Sequence, residues 1–136
     1  MGYRDEIGAA VNWDGGRIEA AASLRDAIRK IIETDVAALV VMLDGQVTGV
    51  VTDMDVLKYV VEKRDLDKTG VSEIMTACAL ISNVRSKVPC VQLHETETVE
   101  NAMRVMEVAG VHNLLVSGDN DAKFGMLSIR DLLRLL

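Results

Sequence analysis

Aromatic residues make up only 3% of the 136-residue chain, one Trp, two Tyr and one Phe, so it lacks the rings on which single-stranded nucleic acid stacks. A formal charge of −6 removes the attraction to a polyanion as well. Both halves of nucleic-acid binding are therefore missing. Long apolar runs are also absent. The longest, VAALVVML from Val36 to Leu43, is too short to cross a bilayer. The opening MGYRDEIGAA carries acidic residues where a signal peptide would be apolar. These features predict a soluble, cytoplasmic protein with no membrane insertion. Cys78 and Cys90 are isolated thiols outside any Cys-x-x-Cys or Cys/His cluster, which fits a reducing compartment and argues against a zinc site or a disulfide framework.

Catalytic motifs are scarce too. Neither G-x-x-x-x-G-K-[ST] nor G-x-G-x-x-G occurs. The two histidines, His94 and His112, lie in one half with no motif to pair either with a nucleophile. Asp119-Asn120-Asp121 begins like a calcium loop, but Phe124 and Arg130 stand where an EF-hand needs Gly and Glu. Asp53 and Asp55, two apart on a helix, do not share a face and make a poor acid pair. The chain reads as a non-enzyme with no metal site and no obligatory cofactor.

What is present is one phrase written twice: GVVTDMDVL at Gly49–Leu57 and GMLSIRDLL at Gly125–Leu133. The surroundings repeat as well, which makes the period the first thing to interpret. From Ser23, Leu24, Ala27, Ile28, Ile31 and Ile32 recur at helical spacing. A valine-rich run, Val36–Val41, follows and is long enough for a buried strand. The Asp44-Gly45 turn and a second apolar run, Val47–Val51, complete a hairpin. A helix is expected from Asp53 to about Arg64. The second half replays this order: a helix bearing Val99, Met103 and Met106 and ended by Gly110, a strand at HNLLV, a DNDA turn, a return at KFGML and a helix running to the end. Ala27 matches Ala102 at an offset of 75, and Gly49 matches Gly125 at 76. The extra residue is expected in the Asp119–Ala122 turn. Ile18 aligns with Leu93, which puts a short strand before each first helix.

Each half therefore reads β-α-β-β-α. One such unit has a marginal core, so an α/β (α+β) protein of two repeats packed sheet to sheet with pseudo-twofold symmetry is expected. Residues 1–75 form the first repeat with an N-terminal extension, 76–89 a linker and 90–136 the second repeat. A short helix is expected at Val71–Met75, and Pro89 marks entry to the second repeat.

This double β-α-β-β-α order, the intervening EIMT, and the Gly, two apolar, Thr/Ser, two variable, Asp pattern of GVVTDMD and GMLSIRD resemble the cystathionine β-synthase (CBS) domain family. Units of that family occur in tandem as a Bateman module. The resemblance covers about Ile18 to Leu136. Two departures stand out: neither ALVV nor NLLV has the proline common in that strand, and the link ACALISNVRSK is longer than expected.

Thr52 and Ser128 sit where a strand gives way to a helix, with the free amides of the first turn behind them, a ready anion site. Three residues on, Asp55 and Asp131 can accept hydrogen bonds from two ribose hydroxyls. Gly49 and Gly125 clear the strand beside the cleft. The resemblance implies that Thr52, Asp55, Ser128 and Asp131 bind the phosphate and ribose of an adenosyl ligand (AMP, ADP, ATP or S-adenosylmethionine) in clefts between the paired repeats. Arg130 leads the candidate phosphate cations, followed by Lys58, Arg85, Lys87 and Lys123. Because Met54 replaces Arg130 in the first phrase and Asp53 is added, the Ser128 site is expected to prefer phosphates and the Thr52 site a less charged ligand or none. His112 and Asn113 begin a strand that lines the cleft in the family and are candidates to touch base or phosphate. The competing reading is capping, since Ser/Thr-x-x-acid also stabilises helix starts. Ser23-Leu24-Arg25-Asp26 has the same pattern with capping alone expected.

The function implied is a non-catalytic, ligand-sensing regulatory module. Its alternative is a ligand-free module that docks on a regulated protein in trans. Surplus apolar residues on the closing helices, Leu57, Val60, Val61, Leu132, Leu133, Leu135 and Leu136, suggest a homodimer, commonly a flat disc of four units in this family.

Overall fold

The structure is a computed structural model that describes residues 2–13, 15–77, 91–120 and 123–136. The chain divides into two compact units, Gly15–Cys90, and Met1–Asp14 together with Val91–Leu136.

In the first unit, β1 (Arg17–Glu19) leads to α1 (Leu24–Thr34), then to the hairpin of β2 (Ala38–Leu43) and β3 (Gln46–Thr52), and to α2 (Asp53–Val61). Ser23 caps α1, and Leu24 and Ala27 are fully buried along its inner face. The tight turn at Asp44 (φ 52°) and Gly45 (φ 78°) uses left-handed backbone at both positions, as a two-residue hairpin requires. β1 pairs parallel to β2, and β2 antiparallel to β3. Side chains alternate across the sheet. Leu39, Val41 and Val51 join α1 in the core, whereas Ala38, Val40 and Val50 on the other face are also buried. Burial on both faces explains why this run carries no polar alternation.

A short α3 (Val71–Ile74) and β4 (Thr76–Ala77) complete the unit, and β4 pairs antiparallel with β3 to give a four-stranded order β1-β2-β3-β4. This strand occupies the first two residues of the expected linker, 76–89. The remaining linker, with Cys78, Arg85, Lys87 and Pro89, lies outside the described residues, as does Cys90.

The second unit repeats the plan: β5 (Gln92–His94), α4 (Val99–Ala109), β6 (Asn113–Ser117), β7 (Phe124–Ser128) and α5 (Ile129–Leu133), with strand order β5-β6-β7. Thr98 caps α4. Gly110 ends it in the left-handed region, φ 67°, as anticipated. Leu114, Val116 and Leu127 face the core with Val99, Ala102 and Met106. Of the expected turn, Asp121 and Ala122 lie outside the described residues.

Sequence order grouped the N-terminal residues with the first repeat, but their contacts place them in the second unit. Ile7 is completely buried in its core. The Ile7 and Gly8 amides donate to the carbonyls of Glu97 and Glu95, and Asn12 and Met126 exchange backbone bonds at 3.1 and 3.4 Å. This strap does for the second unit what α3 and β4 do for the first, at a constant offset of 64 residues. Glu6 bridges Thr98 as Gly70 bridges Ser23, Ile7 donates to Glu97 as Val71 donates to Ala22, and Asn12 opposes Met126 as Thr76 opposes Val50.

Two helices stop earlier than their apolar spacing suggests. α2 ends at Val61 rather than near Arg64, because Lys63 turns into the left-handed region (φ 60°). Arg64 then lies over the Tyr59 ring and pairs with Glu73 at 3.1 Å. α5 is helical to Leu133 and closes in a turn at Arg134–Leu135.

Candidate functional site

Each repeated phrase forms the same strand-to-helix junction. At the first, the Thr52 hydroxyl accepts from the Asp55 amide at 3.1 Å, and the Asp55 carboxylate accepts from the Thr52 amide at 2.9 Å. At the second, the Ser128 hydroxyl and Asp131 carboxylate make the same reciprocal pair at 3.2 and 2.9 Å. Ser23 and Asp26, the internal comparison, do so at 3.1 and 3.0 Å. All three are capping boxes. The Ser23 backbone and hydroxyl bonds hold the exposed Asp26 carboxyl below its ordinary range.

Capping uses only one oxygen of each carboxylate. The other oxygen of Asp131 accepts from Arg134 at 3.3 Å. That of Asp55 accepts from no group among the described residues. A carboxylate offers about four lone-pair sites, so both aspartates keep acceptor capacity for a ligand while serving as caps.

Gly49 and Gly125 have a structural reason. A Cβ on Gly49 would lie 2.7 Å from the Thr76 carbonyl oxygen and 2.8 Å from Met75 Sδ. One on Gly125 would lie 2.6 Å from Val11 Cγ1 and 2.7 Å from the Asn12 carbonyl oxygen. The space a side chain needs is taken by β4 in one unit and by the N-terminal strap in the other, so close approach of the chain itself accounts for both glycines.

The candidate cations separate. Arg130 is exposed in the first turn of α5 and makes no ion pair among the described residues. Lys58 lies 5.1 Å from the Tyr59 ring. Lys123 precedes β7 and is thus at the opposite end of that strand from Ser128, about 16 Å away at 3.3 Å per residue. It stands 4.4 Å from the Trp13 ring and 3.1 Å from Glu95 Oε2. That oxygen makes no well-aimed hydrogen bond, so the Lys123–Glu95 contact is one of charge. Lys123 cannot serve a ligand at Ser128.

Asn113 lies directly opposite Ser128 across the β6–β7 ladder, whereas the equivalent partner of Thr52 is Ala38. His112 is exposed, and its carbonyl accepts from the Ile129 amide at 3.1 Å. Its side chain borders a groove of about 330 Å³ between α4 and α5, lined mainly by Met103, Met106, Val111, Ile129, Leu132 and Leu133. The junction thus gathers Ser128, Asp131, Arg130 and Asn113. Two further neighbours of these strands are Asn12 beside β7 and Thr76, the last residue of EIMT, beside β3. Each follows a buried aliphatic residue, Ile7 or Val71, by five positions. No group of three metal-ligating side chains is found among the described residues.

The model of the CBS domain family matches residues 17–62 and 71–136. No curated protein matches the chain in sequence. Among solved structures, an uncharacterized conserved protein from Pyrococcus horikoshii superposes with a TM-score of 0.79 at 22% identity, covering 99% of this chain and 94% of its own. A CBS domain protein from Pyrobaculum aerophilum complexed with AMP gives 0.75 at 19% identity, covering 93% and 88%. The CBS domain pair of protein MJ0100, in complex with 5′-methylthioadenosine and S-adenosyl-L-methionine, gives 0.77 at 18%, covering 96% and 98%. With the family model spanning most of its length in two segments, and with each segment folded on the same plan, the chain belongs to the CBS domain family as a tandem pair.

Proposed function

We propose that this protein is a non-catalytic, cytoplasmic regulatory module that binds adenosyl ligands at the junctions marked by Thr52 and Asp55 and by Ser128 and Asp131. The observation that carries the reading is the paired hydroxyl and aspartate at both strand-to-helix junctions, each carboxylate keeping acceptor capacity beyond its cap. AMP and S-adenosyl-L-methionine in the related structures support the ligand class. The exposed Arg130 supports a preference for phosphates at the Ser128 junction, and Asp53 and Met54 support a less charged adenosyl ligand, or none, at the Thr52 junction. A ligand signals only by favouring one arrangement of the protein over another.

The test is thermal unfolding with AMP, ADP, ATP, S-adenosylmethionine and NADH, for the wild type and the Asp26→Ala, Asp55→Ala and Asp131→Ala variants. Ligand at a hundredfold its dissociation constant adds about 2.7 kcal/mol. All three variants lose a cap, but only Asp55→Ala or Asp131→Ala is expected to lose the ligand response. If no ligand stabilises the wild type, the phrase serves only its helices.

A docking function has one observation in its favour, the exposed apolar residues on the closing helix of each unit: Leu57, Val60 and Val61 on α2, and Leu133 on α5 with Leu136 after it. A second copy of this chain is the occupant we assign to these residues, with a regulated protein bound in trans by the resulting homodimer.

A further inference from the structure

We infer that Trp13, Glu95 and Lys123 form a selection device that admits the N-terminal strap to the second unit and rejects its counterpart from the first, the segment 70–77. The duplication creates the need for one. At the offset of 64 residues, strap and counterpart make the same backbone bonds: Ile7 and Gly8 donate to the Glu97 and Glu95 carbonyls as Val71 and Ser72 donate to those of Ala22 and Ala20. Each also buries one aliphatic anchor, Ile7 or Val71. Backbone bonds are blind to side chains, and anchors that differ by one methylene discriminate weakly. These shared contacts do not tell one strap from the other.

The contacts that differ lie at the end of the strap. The Lys123 ammonium stands 4.4 Å from the Trp13 ring centroid and 3.1 Å from Glu95 Oε2, a buried oxygen with no well-aimed hydrogen bond. Trp13 Nε1 donates to the Gly8 carbonyl at 3.2 Å, which ties the ring to the strap's own backbone. A Cβ on Gly118 would collide with the Lys123 side chain and stand 2.7 Å from Glu95 Oε2, so Gly118 leaves room for the pair.

The first unit carries none of the three. The offsets that relate the repeats put Ala20 in place of Glu95, Val47 in place of Lys123 and Ala77 in place of Trp13. Ala20 and Val47 are buried. The Ala20 amide donates to Met42 as the Glu95 amide donates to Ser117, which confirms the correspondence at that position. A buried ion pair adds little stability over apolar residues of similar volume, and the first unit shows that the plan closes without one. What the charges add is discrimination. A strap ending in Ala77 would leave Lys123 without its ring, and a strap ending in Trp13 would find no cation beside Ala20 and Val47. Segment 70–77, offered by the same chain or by a second copy, is thereby kept off the second unit. Exchange of equivalent elements between copies is otherwise a low-cost route to unwanted dimers.

The experiment is hydrogen exchange at amides 7 and 8 of the full chain, with circular dichroism and the α1 amides as controls for folding. Two straps are compared, the native one and one in which residues 6–13 carry the sequence of residues 70–77. Each is placed on two versions of the second unit, the native one and the pair Glu95→Ala with Lys123→Val, which copies the first unit. The native strap should lose protection at least about fivefold on the altered unit, the size of a partly desolvated contact between a cation and a ring. The grafted strap should instead be better protected on the altered unit than on the native one. Trp13→Ala should follow the graft. The pair Glu95→Gln with Lys123→Met removes both charges at nearly constant size and supplies the same comparison should the smaller pair fail to fold. If Trp13→Ala costs equal protection on both versions of the unit, or if protection falls equally in α1, selection by the three residues is wrong.

Discussion

At the scale of single residues, close approach and charge pairing make separate predictions. Gly125 faces Val11 and the Asn12 carbonyl at distances no Cβ tolerates. Gly125→Ala should therefore destabilise the protein by about 1–3 kcal/mol, read from the urea midpoint. It should also shift Trp13 fluorescence, because the strap must move. Gly110 has nothing within 4 Å of a Cβ, so Gly110→Ala should cost only the left-handed backbone, roughly 1–2 kcal/mol, with no change in Trp13. On the charged side, Arg25 bonds Asp67 at 2.6 and 3.2 Å. The bond from Arg25, chiefly, and its charge hold the Asp67 carboxyl below its ordinary value. A lowered carboxyl stabilises the fold above its unfolded pKa, and that contribution is lost as pH falls through the folded value. The stability difference between wild type and Asp67→Asn should thus be present at pH 7 and shrink below about pH 4. Denaturant midpoints at pH 7, 4 and 3 would show it, and a difference that grows in acid would refute the pairing.

At the scale of elements, the helix starts and the strap are the parts on which each unit depends. Ser23, Thr52, Thr98 and Ser128 all cap helices through their hydroxyls, and each to-Ala change should cost about 0.5–2 kcal/mol. Their common origin in sequence is visible as Ser/Thr three residues before Asp or Asn. The strap is different. Ile7 is fully buried in the second unit's core, although it lies far from that unit in sequence. Ile7→Ala should cost about 2–5 kcal/mol. Its effect on hydrogen exchange should concentrate in α4 and β7, which the strap touches, and leave α1 unchanged. Equal loss of protection at α1 would show the strap to be no part of one unit in particular.

At the scale of the whole molecule, two cores coexist, one on each side of the duplication, while the closing helices present apolar residues outward. Leu57 and Leu133 are each 53% exposed, so replacing them with Glu should leave folding intact. If a second copy covers these helices, light scattering should report a dimer for the wild type and a monomer for Leu57→Glu or Leu133→Glu. A wild-type monomer would remove the homodimer from the proposed function.

The sequence by itself determined the elements and their duplication. Helical spacing from Leu24 to Ile32, the Asp44-Gly45 turn, the Gly110 cap and the hydroxyls of Ser23, Thr52 and Ser128 before α1, α2 and α5 are local, and local periodicity and backbone preference are written residue by residue. The hydroxyl and aspartate of each junction were legible for the same reason, being three residues apart. What lay between distant segments was not. The strap beside β7, the pairing of β4 with β3, the chain that fills the space above Gly49 and Gly125, and the distance of Lys123 from Ser128 were decided by the tertiary structure. Each depends on which segment meets which, and a short segment such as Ile7–Trp13 carries too little periodicity to name its partner.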